Sequence, residues 1–214
     1  MKILAVIAAF AVCVGYAASN YAQGGGPVSP DERVEGRSQA EWSTAWWQWA
    51  GSFERDESPV SDKTGELCAS KQSGAVWFLA GTYGTHQTMR TCTVPQAKYL
   101  FFPLINFVVM PPPPSRKISC MAVMTYAASM TDAPSILVLD IDGTRVENLL
   151  SYRQATKECF DMGAFAKPKI RVFPSAANGY YVMLRPLAPG KHVLNFGGAL
   201  PDLRQAVTYT LYVK

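Results

Sequence analysis

The chain of 214 residues contains two histidines, His86 and His192, and a general base working near neutral pH would most easily be one of them. His86 lies in GTYGTHQTMR, a Gly- and Thr-rich stretch that reads as a loop between two strands. Loops carry function more often than the elements they join, and Tyr83, His86 and Arg90 on this one could together hold an anion or a sugar. The same residues define a catalytic alternative, a hydrolase or lyase with His86 as base and Arg90 or Tyr83 supporting developing charge. His192 stands beside Pro189-Gly190 at the start of an expected strand and reads as structural. No G-x-S-x-G elbow, H-E-x-x-H pair or phosphate-cradling glycine loop occurs, so no catalytic residue is assigned beyond the candidate His86.

Metal chemistry has equally thin support. Asp140, Asp142 and Glu147 faintly suggest a calcium loop, but their spacing is not that of an EF-hand. Asp62, in SDKTG, is as suited to capping a turn as to binding a cation. No C-x-x-C is present and neither histidine sits at ligand spacing from a cysteine, so neither a metal nor a cofactor is expected.

The other side chains that could meet a ligand are indoles. WSTAWWQWAGSF, residues 42–53, holds four of the five tryptophans. Ser38-Gln39-Ala40-Glu41 is a capping box that should start a helix of about three turns, closed near Gly51 in a left-handed conformation. At about 100° per residue, Trp42, Trp46, Trp49 and Phe53 share one stripe, which should dock the helix, while Trp47 points away from it. Trp47 therefore joins Tyr83, His86, Arg90 and Asn106 as the candidate ligand-binding set, and a real site would bring them to one concave pocket.

Beyond the helix the pattern is that of strands. AVWFLAG, KYLFFPLINFVVM, SILVLDI, YYVMLRPL, HVLNFGG and AVTYTLYV are short, β-branched and aromatic, and Gly, Pro, Asn or Asp separate them. Asp142-Gly143 marks a hairpin and Pro189-Gly190 a tight turn. MPPPPSRK, residues 110–117, cannot join a ladder and reads as an extended loop. ASMTDAPS and FAKPKIRVFPSAANG read as further loops. The expected fold is mainly β: an antiparallel two-sheet β-sandwich, jelly-roll or immunoglobulin-like, with one N-terminal α-helix packed on it.

The first nineteen residues, MKILAVIAAFAVCVGYAAS, have the layout of a secretory signal peptide, with Lys2 ahead of a short apolar run and small residues after it. Residues 20–37, rich in Gly, Pro and charge, read as a flexible leader, and 38–214 as a single domain. Lys2 is the only charge in residues 1–19, so the remainder keeps 19 basic against 16 acidic side chains, a net +3. That balance is too small, and too scattered, for a nucleic-acid partner. Export without a stable membrane span is expected, to the periplasm or beyond. Four cysteines then remain, Cys68, Cys92, Cys120 and Cys159, and in an exported chain they read as two disulfides. Three pairings are open. Cys68–Cys92 with Cys120–Cys159 is preferred because near neighbours in the chain meet most often.

In order along the chain, WWQWA, TGELC, GAVWFLAGTYG, RTCTVP, YLFFPLIN and LAPGKHVLNFGG resemble a family of exported bacterial proteins of uncharacterised function. The resemblance runs from Trp42 nearly to the last residue and implies no catalytic residue. The expectation is a non-catalytic binding module for carbohydrate, another envelope component or a partner protein. The alternatives are the hydrolase or lyase above and a purely structural envelope protein.

Overall fold

A computed structural model describes residues 25–84, 87–111 and 117–214. The expected signal peptide, the start of the leader, most of the proline run and His86 lie outside these residues.

Helix α1, Gln39–Ala50, begins where the capping box places it: the Glu41 N–H donates to Ser38 Oγ, and the Ser38 N–H donates to Glu41 Oε2 at 2.7 Å. That backbone donation, with the Ser38 hydroxyl and the charge of Arg33 nearby, holds the Glu41 carboxyl below the usual carboxylate range. Gly51 ends the helix right-handed, with φ −75°, rather than left-handed as expected. Its lack of a side chain serves contact instead, because a Cβ there would lie 3.0 Å from both Cγ and the carbonyl oxygen of Met162.

The described residues then form nine strands and a second helix. In order these are β1 (Val76–Phe78), β2 (Gln87–Val94), β3 (Tyr99–Val109), α2 (Cys120–Ser129), β4 (Ile136–Ile141), β5 (Thr144–Arg145), a 3-10 turn (Leu149–Tyr152), β6 (Arg153–Ala155), β7 (Ala176–Leu184), β8 (Gly190–Leu200) and β9 (Leu203–Val213). They make two sheets, β1-β3-β7-β6 and β2-β9-β8-β4-β5. Both sheets are mixed, which corrects the all-antiparallel expectation: β1 runs parallel to β3, and β2 runs parallel to β9 along all eight of its residues. The parallel pairs arise because each of these strands joins an edge beside a strand that is not its hairpin partner.

Apolar side chains from the two sheets share one core, in which Phe102 of β3 meets Phe196 of β8 with ring centroids 4.5 Å apart. The other face of the first sheet is covered by α1, where Trp46 and Trp49 pack with Phe101, Tyr181 and Met183. Strand β7 is thus covered on both sides, and all nine of its residues are buried. That explains a run without polar alternation, and it includes Ala176–Gly179, which had read as loop.

Three further differences matter for function. Residues 25–37 do not behave as a leader: the Val28 N–H donates to Met183 O and the Arg185 N–H to Gly26 O, with Val28 and Val34 buried under α1. Gln87–Arg90, expected in a loop, begin strand β2. Helix α2 was not anticipated, and it packs on β3 and β7 around Val123 and Ala127. The disulfides are Cys68–Cys92 and Cys120–Cys159, the preferred pairing. Among the described residues no helix is long and apolar enough to cross a membrane.

Candidate functional site

The four described members of the candidate set do not converge. Arg90 is 3% exposed and points inward from β2. Its guanidinium donates to Asp62 O, Val60 O, Ala80 O and Gly81 O, at 2.7 to 3.2 Å, and to the Tyr209 hydroxyl at 3.2 Å. A cation wrapped in carbonyls has nothing left for a ligand, so Arg90 is a structural knot joining β2 to the preceding loops. Burial raises the Tyr209 hydroxyl above its ordinary range against the opposing charge of Arg90, so it stays neutral beside the guanidinium. Tyr83 is exposed, with the Arg55 guanidinium 5.2 Å from the centre of its ring.

Trp47 and Asn106 do approach each other, but as part of the core beneath α1. Trp47 donates its indole N–H to the hydroxyl of Tyr181 at 2.9 Å and packs, half-buried, against the aromatic cluster. Asn106 on β3 is 8% exposed, and burial drives the neighbouring Tyr181 hydroxyl far above its ordinary range. The cluster wraps α1 more widely than one stripe: Trp42, Trp47 and Phe53 are all half-buried around Trp46 and Trp49.

The suspected cation ligands are occupied by the protein itself. Asp62 accepts the N–H groups of Thr64, Gly65 and Leu67 and the Thr64 hydroxyl. Burial alone would raise its carboxyl, but these donations outweigh it and hold it below the usual range. Asp140 closes the β4–β5 turn by accepting from Gly143 N–H, with Asp142 and Gly143 both at positive φ. Asp142 accepts from Val193 N–H and faces His192 Nδ1 at 2.7 Å, while His192 Nε2 faces Ala188 O at 2.8 Å. His192 thereby anchors the hairpin, in keeping with its structural reading.

The aromatic surplus opens to solvent elsewhere. A groove of about 670 Å³ runs along α1, within the size range of ligand sites. Trp42, Trp49 and Phe78 form its floor, Phe165 stands over it at 62% exposure, and Arg37, Lys71 and Lys167 supply charge against one acid, Glu35. Each anchor has a local cause. Val34 and Arg37 close a two-residue turn with reciprocal N–H to carbonyl bonds, using positive φ at Glu35 and Gly36. Trp42 donates its indole N–H to Val34 O, which ties ring and turn together and sets the Arg37 guanidinium 5.0 Å over the indole. Trp49 is fixed by Ser70 O, and Phe78 packs against both indoles at 6.2 and 5.5 Å. Lys71 donates to Ser52 O and lies 4.2 Å from the Phe53 centroid.

None of the five candidate residues lines this groove among the described positions. Trp42 and Trp49, expected wholly in the core, line it together with Arg37, Lys71, Phe165 and Lys167, none of them a sequence candidate. Their positions span 130 residues of chain, from 37 to 167, so no local spacing could unite them. The available signal was the indole surplus beside a charged, glycine-containing turn.

No family model matches the chain, and no curated protein is similar to it. A solved structure described as PbICP-C in complex with falcipain-2 is similar over 66% of this chain and 98% of that chain, with 11% identity and a TM-score of 0.27. A likeness that slight carries no argument about fold or function.

Proposed function

We propose that the protein is an exported, non-catalytic β-sandwich binding module whose site is the aromatic groove along α1. The observation that carries this reading is the preorganised lining: indoles pinned by carbonyls and a guanidinium held over one of them, with side chains free to meet a ligand. Fixed anchors lower the entropy lost on binding, which suits recognition. The hydrolase alternative loses one of its two charge-supporting candidates, because Arg90 is spent on four carbonyls, and keeps only the exposed Tyr83. Two disulfides and the leading apolar run support export. The two sheets sharing one core support the sandwich, although the parallel pairs set it apart from the jelly-roll and immunoglobulin patterns.

A thermal-shift screen of the disulfide-intact protein against saccharides, lipids and peptides tests this. A specific ligand raises Tm by mass action, and Phe165→Ala, an exposed change that leaves the fold intact, reduces the rise. Turnover of any ligand that binds there, or binders that all ignore groove substitutions, would remove the reading.

A further inference from the structure

Resting on that reading, we infer that the ligand is an acidic oligosaccharide, a chain of sugar rings bearing carboxylates, laid across α1. Three observations combine. First, the groove does not end at the helix. A second depression of about 600 Å³ borders α1, lined by Thr44, Gln48 and Lys157 among others, and it shares Arg37 and Ala45 with the first. Two hollows meeting at common residues form a track longer than one ring, which fits an oligomer better than a compact small molecule.

Second, the first hollow is floored by aromatic faces and edges. Phe165, 62% exposed, offers an open aromatic ring to the C–H-rich face of a pyranose, and exposed hydroxyl-bearing residues such as Ser73 at the margin suit a hydroxylated ligand. A lipid chain would call for a deeper apolar slot than a floor of this kind provides.

Third, the charge along the track is complementary to an anion. Arg37 makes no side-chain hydrogen bond or ion pair among the described residues, and stacking on Trp42 leaves its in-plane N–H fork free for a carboxylate. Lys167 likewise has no protein partner and is exposed. Lys157 lines the second hollow. Three acids line the two hollows, Glu35, Glu41 and Glu158, against five cations, Arg33, Arg37, Lys71, Lys157 and Lys167, and Glu41 is already held by Ser38 and Arg33. Cations therefore outnumber acids along the path.

The test is calorimetric titration of the disulfide-intact protein with a short oligogalacturonate, the same oligomer as its methyl ester, and free galacturonic acid. The acid oligomer is expected to bind with an affinity that falls as salt rises, and esterification or Arg37→Ala to weaken it about tenfold or more. Lys167→Ala should weaken it in the same direction, whereas Thr91→Ala, on the exposed face of β2, should leave it unchanged. Equal binding of acid and ester, or an unaltered Arg37→Ala, overturns the acidic class while leaving the groove as a binding site. Monomer binding as tight as the oligomer overturns the continuous track. If no saccharide binds while another ligand binds in a groove-dependent way, the inference falls and the binding function stands; if nothing binds there, both fall.

Discussion

At the scale of single residues, Arg90 shows how a side chain suggestive of binding becomes an internal brace. From one rigid plane its guanidinium donates to the backbone carbonyls of residues 60, 62, 80 and 81, which tie two loops to β2. Arg90→Ala leaves those carbonyls without donors in a buried place, and a loss of about 3 kcal/mol or more is expected in urea unfolding. Arg90→Lys should recover only part of it, since one ammonium cannot span the fork. Asp62, on one of the same loops, sets an acid limit. Its folded pKa is depressed, so its contribution is complete above the unfolded value, near about 4, and is lost as pH falls through the lower folded value. The Tm difference between wild type and Asp62→Asn should therefore be constant near neutrality and shrink below about pH 4. Gly65 stands in this loop with φ +95°, and a Cβ there would come within 2.2 Å of Thr91 O, so the turn admits glycine alone.

At the scale of elements, legibility followed local signals. Helix α1 could be read because Ser38 and Glu41 form a box and aromatic residues recur at helical spacing. Helix α2 could not, because CMAVMTYAAS carries no charge, its cap at Ser119 lacks an acid three residues on, and only Val123 and Ala127 are buried. Strand β2 was hidden for a different reason. It alternates buried and exposed residues throughout, but its inward positions begin with Thr88 and Arg90, so a polar face occupies the core side. The groove was least legible, since the Val34–Arg37 turn, α1 and the segment around Phe165 meet only in the folded chain. The Cys120–Cys159 bridge fastens α2 to the segment before β7, and across 39 residues its chain-entropy contribution is about 4 kcal/mol. Replacing both cysteines by serine should lower Tm and speed amide exchange selectively in 120–129, and uniform exchange across the domain would contradict this division.

At the scale of the whole molecule, the layers divide labour. The core between the sheets supplies stability, the helix layer presents the groove, and β7 belongs to both as the strand buried on each face. The sheet order has a temporal corollary. Strand β2, residues 87–94, finds its partner only in residues 206–213, and Arg90 waits for the hydroxyl of Tyr209. A polypeptide emerging from its amino end would hold that pairing open until residues 206–213 had appeared. The barrier to premature compaction is thus written into the strand order, and whatever handles the chain before residue 206 emerges would meet an extensible segment rather than a closed sheet.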